Sequence, residues 1–117
     1  MRTVNKPWGK EEIWAEGPTY VGKFLYIGAG EKLSRQYHEK KEETICVLEG
    51  DLELELGIPS TNEFEVEELS PGDTFHITPG TVHRFCASGG DVRLVEVSST
   101  ELEDVVRLED EYNRAEH

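Results

Sequence analysis

The sequence predicts an all-β protein, a sandwich or closed barrel of short antiparallel strands, and two observations carry that prediction. Runs rich in β-branched and aromatic residues recur at residues 11–15, 20–27, 43–48, 51–56, 63–69, 73–78, 83–87 and 92–97, separated by Gly, Pro, Asn or Ser. Where charges interleave with apolar residues the period is two: in DLELEL, Leu52, Leu54 and Leu56 share one face and Asp51, Glu53 and Glu55 the other. One side of that strand is dry and the other wet. Strands this short, spaced this evenly, read as a sandwich or barrel.

Taken in order, EEIWA and YVGKFLYI open the chain as strands, and Trp8, Trp14, Tyr20, Phe24 and Tyr26 around them serve packing or sugar stacking. ETICVL and DLELEL are joined by a turn at Gly50, GIPSTN forms a hairpin loop before EFEVEEL, and SPGD turns at Gly72 into DTFHIT. HRFCA and VRLVEV complete the strands. Cys46 and Cys86 each lie inside an apolar strand pattern, and two cysteines do not make a disulfide framework, so both are expected as reduced, structural thiols. After residue 98 the alternation stops, and Thr100 with Glu103 forms a capping box that predicts one or two short closing helices.

The 117 residues suit one domain, 1–117, with one core. A formal net charge of −13 argues against duplex nucleic acid or an anionic membrane surface as partner. It leaves an anionic small molecule open, because a few local cations set the field inside a cleft. No apolar run is long enough to span a membrane and the first residues lack a secretory pattern, so a cytoplasmic protein is expected. No internal repeat is present, and IGAGEK is too poor in glycine to be a phosphate loop.

Chemistry concentrates in GEKLSRQYHEKKEETICVLEG. Gln36 and His38 are two apart and point the same way on a strand, while Glu43 shares its face with Ile45 and Val47. The three can converge across a hairpin, and His83, opening a strand after the turn at Pro79 and Gly80, can reach them from the opposite wall. Two imidazoles, a carboxylate and an amide oxygen make a mixed N/O set for a divalent ion, with zinc first and iron, manganese, nickel or cobalt also compatible. Gln36 is either a direct ligand or a hydrogen-bonding neighbour of one. The bland alternative is that the histidines are ordinary polar residues at a barrel mouth.

The spacing resembles the two motifs of the cupins, small double-stranded β-helix (jelly-roll) barrels. Gly30, Gln36, His38, Glu43 and Gly50 fall in register with the first motif, Gln36 standing where a histidine is usual. Gly72, Gly80 and His83 fall in register with the second, where Thr78 replaces a proline and Ala87 an asparagine. Within cupins the chain resembles the carboxy-terminal domain of type II mannose-6-phosphate isomerases, through KPWGKEE, LSRQYH and EDVVRLEDEYNR. It departs from that pattern at Glu39, Lys40, Lys41 and Glu42, where further histidines and an arginine are usual.

The resemblance implies a metal-dependent sugar-phosphate isomerase acting on mannose 6-phosphate and fructose 6-phosphate, metal ligands Gln36, His38, Glu43 and His83, and a homodimer. In such an enzyme the metal acts as a Lewis acid at the carbonyl and a base moves the proton. Neither composition nor spacing identifies that base: His76 lies near the ligand turn, but Phe75 and Ile77 take the inward parity. Arg84, Lys23, Arg35 and Lys41 are the candidates for a phosphate, and Arg84 and Lys23 also for catalysis. Two other readings stay open, an iron-dependent dioxygenase and a sugar-binding cupin without turnover.

Overall fold

The computed structural model describes residues 1–111 and shows, within them, two antiparallel sheets and no helix. The first sheet runs β1 (Arg2–Lys6), β2 (Gly9–Glu16), β3 (Val21–Ile27), β10 (Val92–Ser98), β5 (Glu43–Glu49) and β8 (Thr74–Ile77) in spatial order. The second runs β11 (Val106–Glu109), β4 (Arg35–Tyr37), β9 (His83–Cys86), β6 (Leu52–Gly57) and β7 (Phe64–Leu69). Among these residues no helix is long and apolar enough to cross a membrane.

The inward parity of each strand builds the core. Leu25 and Ile27 of β3, Val92 and Leu94 of β10, Ile45 and Val47 of β5, and Ile77 of β8 pack from the first sheet onto Leu52 and Leu54 of β6, Leu69 of β7 and Phe85 of β9. Trp8 joins them from the turn between β1 and β2, fully enclosed, whereas Trp14 lies on the outside against Phe24 at 5.9 Å. One tryptophan is core; its neighbour is surface. Both cysteines are free, and burial pushes the Cys86 thiol up to about 12, as an inert structural thiol requires.

Two glycines fix turns that matter to the site. Gly50, at φ +79°, links β5 to β6, and a Cβ there would lie 2.2 Å from the Asp91 carbonyl oxygen. Gly80, at φ +82°, donates its N–H to the His38 carbonyl at 2.7 Å, tying the turn before β9 to the loop after β4.

The expected closing helix is not formed. From Thr100 to Val105 the chain makes successive tight turns, with Leu102 N–H on Thr100 O and Val105 N–H on Glu103 O, and then extends as β11. The reason is tertiary. β4 is only three residues long and would be an open edge, and pairing with the β-branched Val106 segment covers it. Any helical expectation for residues 112–117 lies outside the described residues.

Candidate metal centre

Three of the four predicted ligands meet between the sheets. His83 opens β9 in the second sheet, His38 follows β4 in that sheet, and Glu43 opens β5 in the first. One ligand atom from each lies within 4.8 Å of the others, and all three side chains are almost wholly enclosed, at 4%, 2% and 1% exposure for His38, Glu43 and His83. Glu43 Oε1 is 3.5 Å from His38 Nε2 and 3.3 Å from His83 Nε2, and the two imidazole centroids are 5.2 Å apart.

Each histidine is held from behind. His38 Nδ1 lies 2.5 Å from the Asp104 carbonyl oxygen and His83 Nδ1 2.9 Å from that of Thr81. A carbonyl only accepts, so both Nδ1 atoms donate, and each ring turns its Nε2 toward Glu43. Both Nε2 atoms are buried without a hydrogen-bond partner. These Nε2 atoms and Glu43 Oε1 converge on one point, as donors around a shared cation do. These residues fit a divalent ion, and hydrogen bonding at the far nitrogen is the support such a ligand needs.

A second tier of charge surrounds Glu43. Lys41 Nζ is 3.3 Å from Glu43 Oε2 and 3.5 Å from Glu96 Oε2, all three groups being buried. Burial alone would raise the Glu43 carboxyl, but the two imidazoles and the Lys41 ammonium outweigh it and hold it well below the usual carboxylate range. Burial, with the charge of Glu43 beside it, pushes Glu96 up to about 8. For Lys41 burial works against the charge, yet Glu96 and Glu43 prevail and raise its pKa. Lys41 thus occupies Oε2 and leaves Oε1 for the imidazole side.

Asp104 organises the loop carrying His38. Its carboxylate accepts the backbone N–H groups of Glu39, Lys40 and Lys41 at 3.1, 2.7 and 3.0 Å, while its carbonyl holds His38. Those amides, that of Lys40 foremost, lower its carboxyl pKa. Asp104, Glu96 and the pairing of Lys41 with Glu43 are not among the expectations drawn from the sequence. For Glu96 a signal was present: it shares the inward parity of Leu94 in VRLVEV, a charge where an apolar residue belongs.

Gln36 is the cross-strand partner of His83, and its Oε1 accepts the Ser34 hydroxyl at 2.7 Å. His76 stands elsewhere, about half exposed on the outward side of β8, 2.5 Å from Glu42. Of the cation candidates, Arg84 donates Nε to the Leu33 carbonyl at 2.7 Å and meets Glu109 at 3.5 Å, while Arg35 pairs with Glu55 and Glu109 over the Phe64 ring. Both belong to the outer parity of the second sheet, away from the mouth. Lys23 and Lys41 do line the pocket that opens beside His38, but Lys23 is engaged by Glu11 at 3.3 Å. That pocket is also lined by Lys6, Trp8, Gln36 and Arg107.

A small antiparallel barrel with a buried His–Glu–His cluster between its sheets defines the class. The sequence matches the family described as Cupin domain (Cupin_2) over residues 23–98. The chain belongs to the cupin family. It is similar to the mannose-1-phosphate guanylyltransferase ManC of Salmonella typhimurium, 33% identical over 97% of this chain, but spans only 23% of that protein's length. Among solved structures, KdgF from Halomonas sp. is similar at 25% identity and TM-score 0.72, covering 85% of this chain and 86% of that one. The capsular polysaccharide assembling protein CapF of Staphylococcus aureus shares the fold at 16% identity and TM-score 0.82, covering 92% of this chain and 31% of CapF.

Proposed function

We propose that the chain is a metal-dependent sugar-phosphate isomerase interconverting mannose 6-phosphate and fructose 6-phosphate, its cation held by His38, Glu43 and His83 with Gln36 Oε1, steered by Ser34, as fourth donor. The observation that carries this reading is the buried triad whose unpartnered ligand atoms adjoin a pocket lined by His38, Gln36 and Lys41. Similarity to a protein named for mannose 1-phosphate supports a mannose phosphate as the kind of ligand. A divalent ion, zinc or alternatively iron, manganese, nickel or cobalt, would supply Lewis-acid polarisation of the carbonyl and its neighbouring hydroxyl.

The chain's own groups do the rest. Glu11 lines the pocket with Lys23 3.3 Å away, and this carboxylate takes the proton from C2 and returns it to C1, as the hydroxyl proton on O2 passes to O1, while Lys23 steadies its charge. Trp8, buried at the pocket wall, keeps water from the reacting carbons. Assembly as a cytoplasmic homodimer belongs to the same proposal, supported by the exposed Phe64, Val66 and Leu108 on the second sheet. A coupled assay with mannose 6-phosphate, run on chelator-treated protein resupplied with each metal in turn, tests the reading. Turnover that returns with metal and is lost in Glu11→Gln supports it; a metal-loaded protein that binds the sugar phosphate without turning it over leaves a sugar-binding cupin instead.

A further inference from the structure

The pocket beside the triad is basic in a protein of net charge −13: Lys6, Lys23, Lys41 and Arg107 line it, against the single acid Glu11. Two of those cations are already answered, Lys23 by Glu11 and Lys41 by Glu43 and Glu96. The side chains of Lys6 and Arg107 carry no ion pair or hydrogen bond among the described residues, and Arg107 Nε is a buried donor without a partner. Both side chains are half-buried, and both line the pocket.

Their places in the fold are specific. Lys6 ends β1, the edge strand of the first sheet, and Arg107 lies on β11, the edge strand of the second. Arg107 pairs with Gln36, and Gln36 with His83, so the three stand in one row across β11, β4 and β9. Two strand spacings put Arg107 about 10 Å along that row from His83. A hexose with a phosphate on its last carbon spans a comparable distance.

We propose that Arg107 and Lys6 hold the phosphoryl group of a ligand whose other end reaches His38, Glu43 and His83, so that this pocket selects phosphorylated over neutral sugars. Arg107 offers a planar set of donors suited to a phosphate, and Lys6 a second charge from the opposite wall. The inference rests on reading this pocket as the ligand site but not on isomerisation. It also moves the anion contact away from Arg84, Arg35, Lys23 and Lys41, all of which have partners within the fold.

Calorimetric titration of the full chain with inorganic phosphate, mannose and mannose 6-phosphate, with zinc and with chelator, tests this. Mannose 6-phosphate is expected to bind at least about tenfold more tightly than mannose, and inorganic phosphate to compete with it. Arg107→Met and Lys6→Met should each weaken phosphate and mannose 6-phosphate binding about tenfold while zinc binding persists, with Arg107→Lys losing less and Arg2→Met nothing. Retained zinc binding and far-ultraviolet dichroism separate a lost contact from a lost fold. Equal affinity for mannose and mannose 6-phosphate, or phosphate binding unchanged in Arg107→Met and Lys6→Met, overturns the inference. Failure of isomerase turnover with phosphate discrimination intact would instead strike the catalytic reading alone.

Discussion

Replacing Lys41 by methionine removes the ammonium that lies between two buried carboxyl groups. At 3.3 Å from Glu43 Oε2, an effective dielectric of about 20 gives an attraction of roughly 5 kcal/mol. Keeping Lys41 out of water costs part of that, but its loss leaves Glu43 buried with no cation. Metal-free Lys41→Met should therefore be about 3–5 kcal/mol less stable than the parent, the cost of stranding one member of a buried pair. Urea unfolding at pH 7 in the presence of chelator measures this. Added zinc should then shrink the deficit, because a divalent ion beside Glu43 replaces the missing charge and stabilises only the folded chain. A variant within about 0.5 kcal/mol of the parent, or a deficit equally large with and without zinc, would refute the assignment of Lys41 as the partner of Glu43.

Further outcomes follow from the same geometry. Asp104→Ala should speed hydrogen exchange at the amides of Glu39, Lys40 and Lys41 and weaken zinc affinity at least about tenfold, since the carboxylate secures the loop that carries His38; unchanged exchange would separate Asp104 from that loop. With Glu96 raised from 4.5 to about 8, the folded chain keeps a proton that the unfolded chain releases in that window. Stability of the metal-free protein should therefore fall as pH rises from about 5 to 8, and Glu96→Gln should flatten the urea midpoint across it. His76→Ala should leave zinc binding and sugar-phosphate binding as in the parent, because that ring faces outward against Glu42; a loss of either, measured by calorimetry, would bring His76 back to the site.

The strands were legible because alternation is local: DLELEL and VRLVEV show their dry faces in their own residues. Spacing in the chain likewise pointed to His38, Glu43 and His83, since strand parity and turn length decide which way each side chain points. The carboxy-terminal segment was misread for the opposite reason. Thr100 and Glu103 offer a helix start, but β4 lacks a neighbour, and only the assembled second sheet shows that Val106–Glu109 supplies it. Arg84 and Arg107 show the same limit: each is an arginine in a strand, and cross-strand register alone sends one to the outer face and the other into the row with Gln36 and His83. Glu96 and Asp104 act through partners far along the chain, 55 positions separating Glu96 from Lys41 (41 to 96) and 66 separating Asp104 from His38, whereas Lys41 meets Glu43 only two positions on.

Central to this account is a cation shared by His38, Glu43 and His83. The most direct test is zinc titration of chelator-stripped protein followed by X-ray absorption at the zinc edge. A single zinc per chain with two imidazole nitrogens among its ligands, lost in His38→Ala and in His83→Ala, is the predicted result. No saturable binding, or a bound zinc without imidazole in its shell, would contradict it.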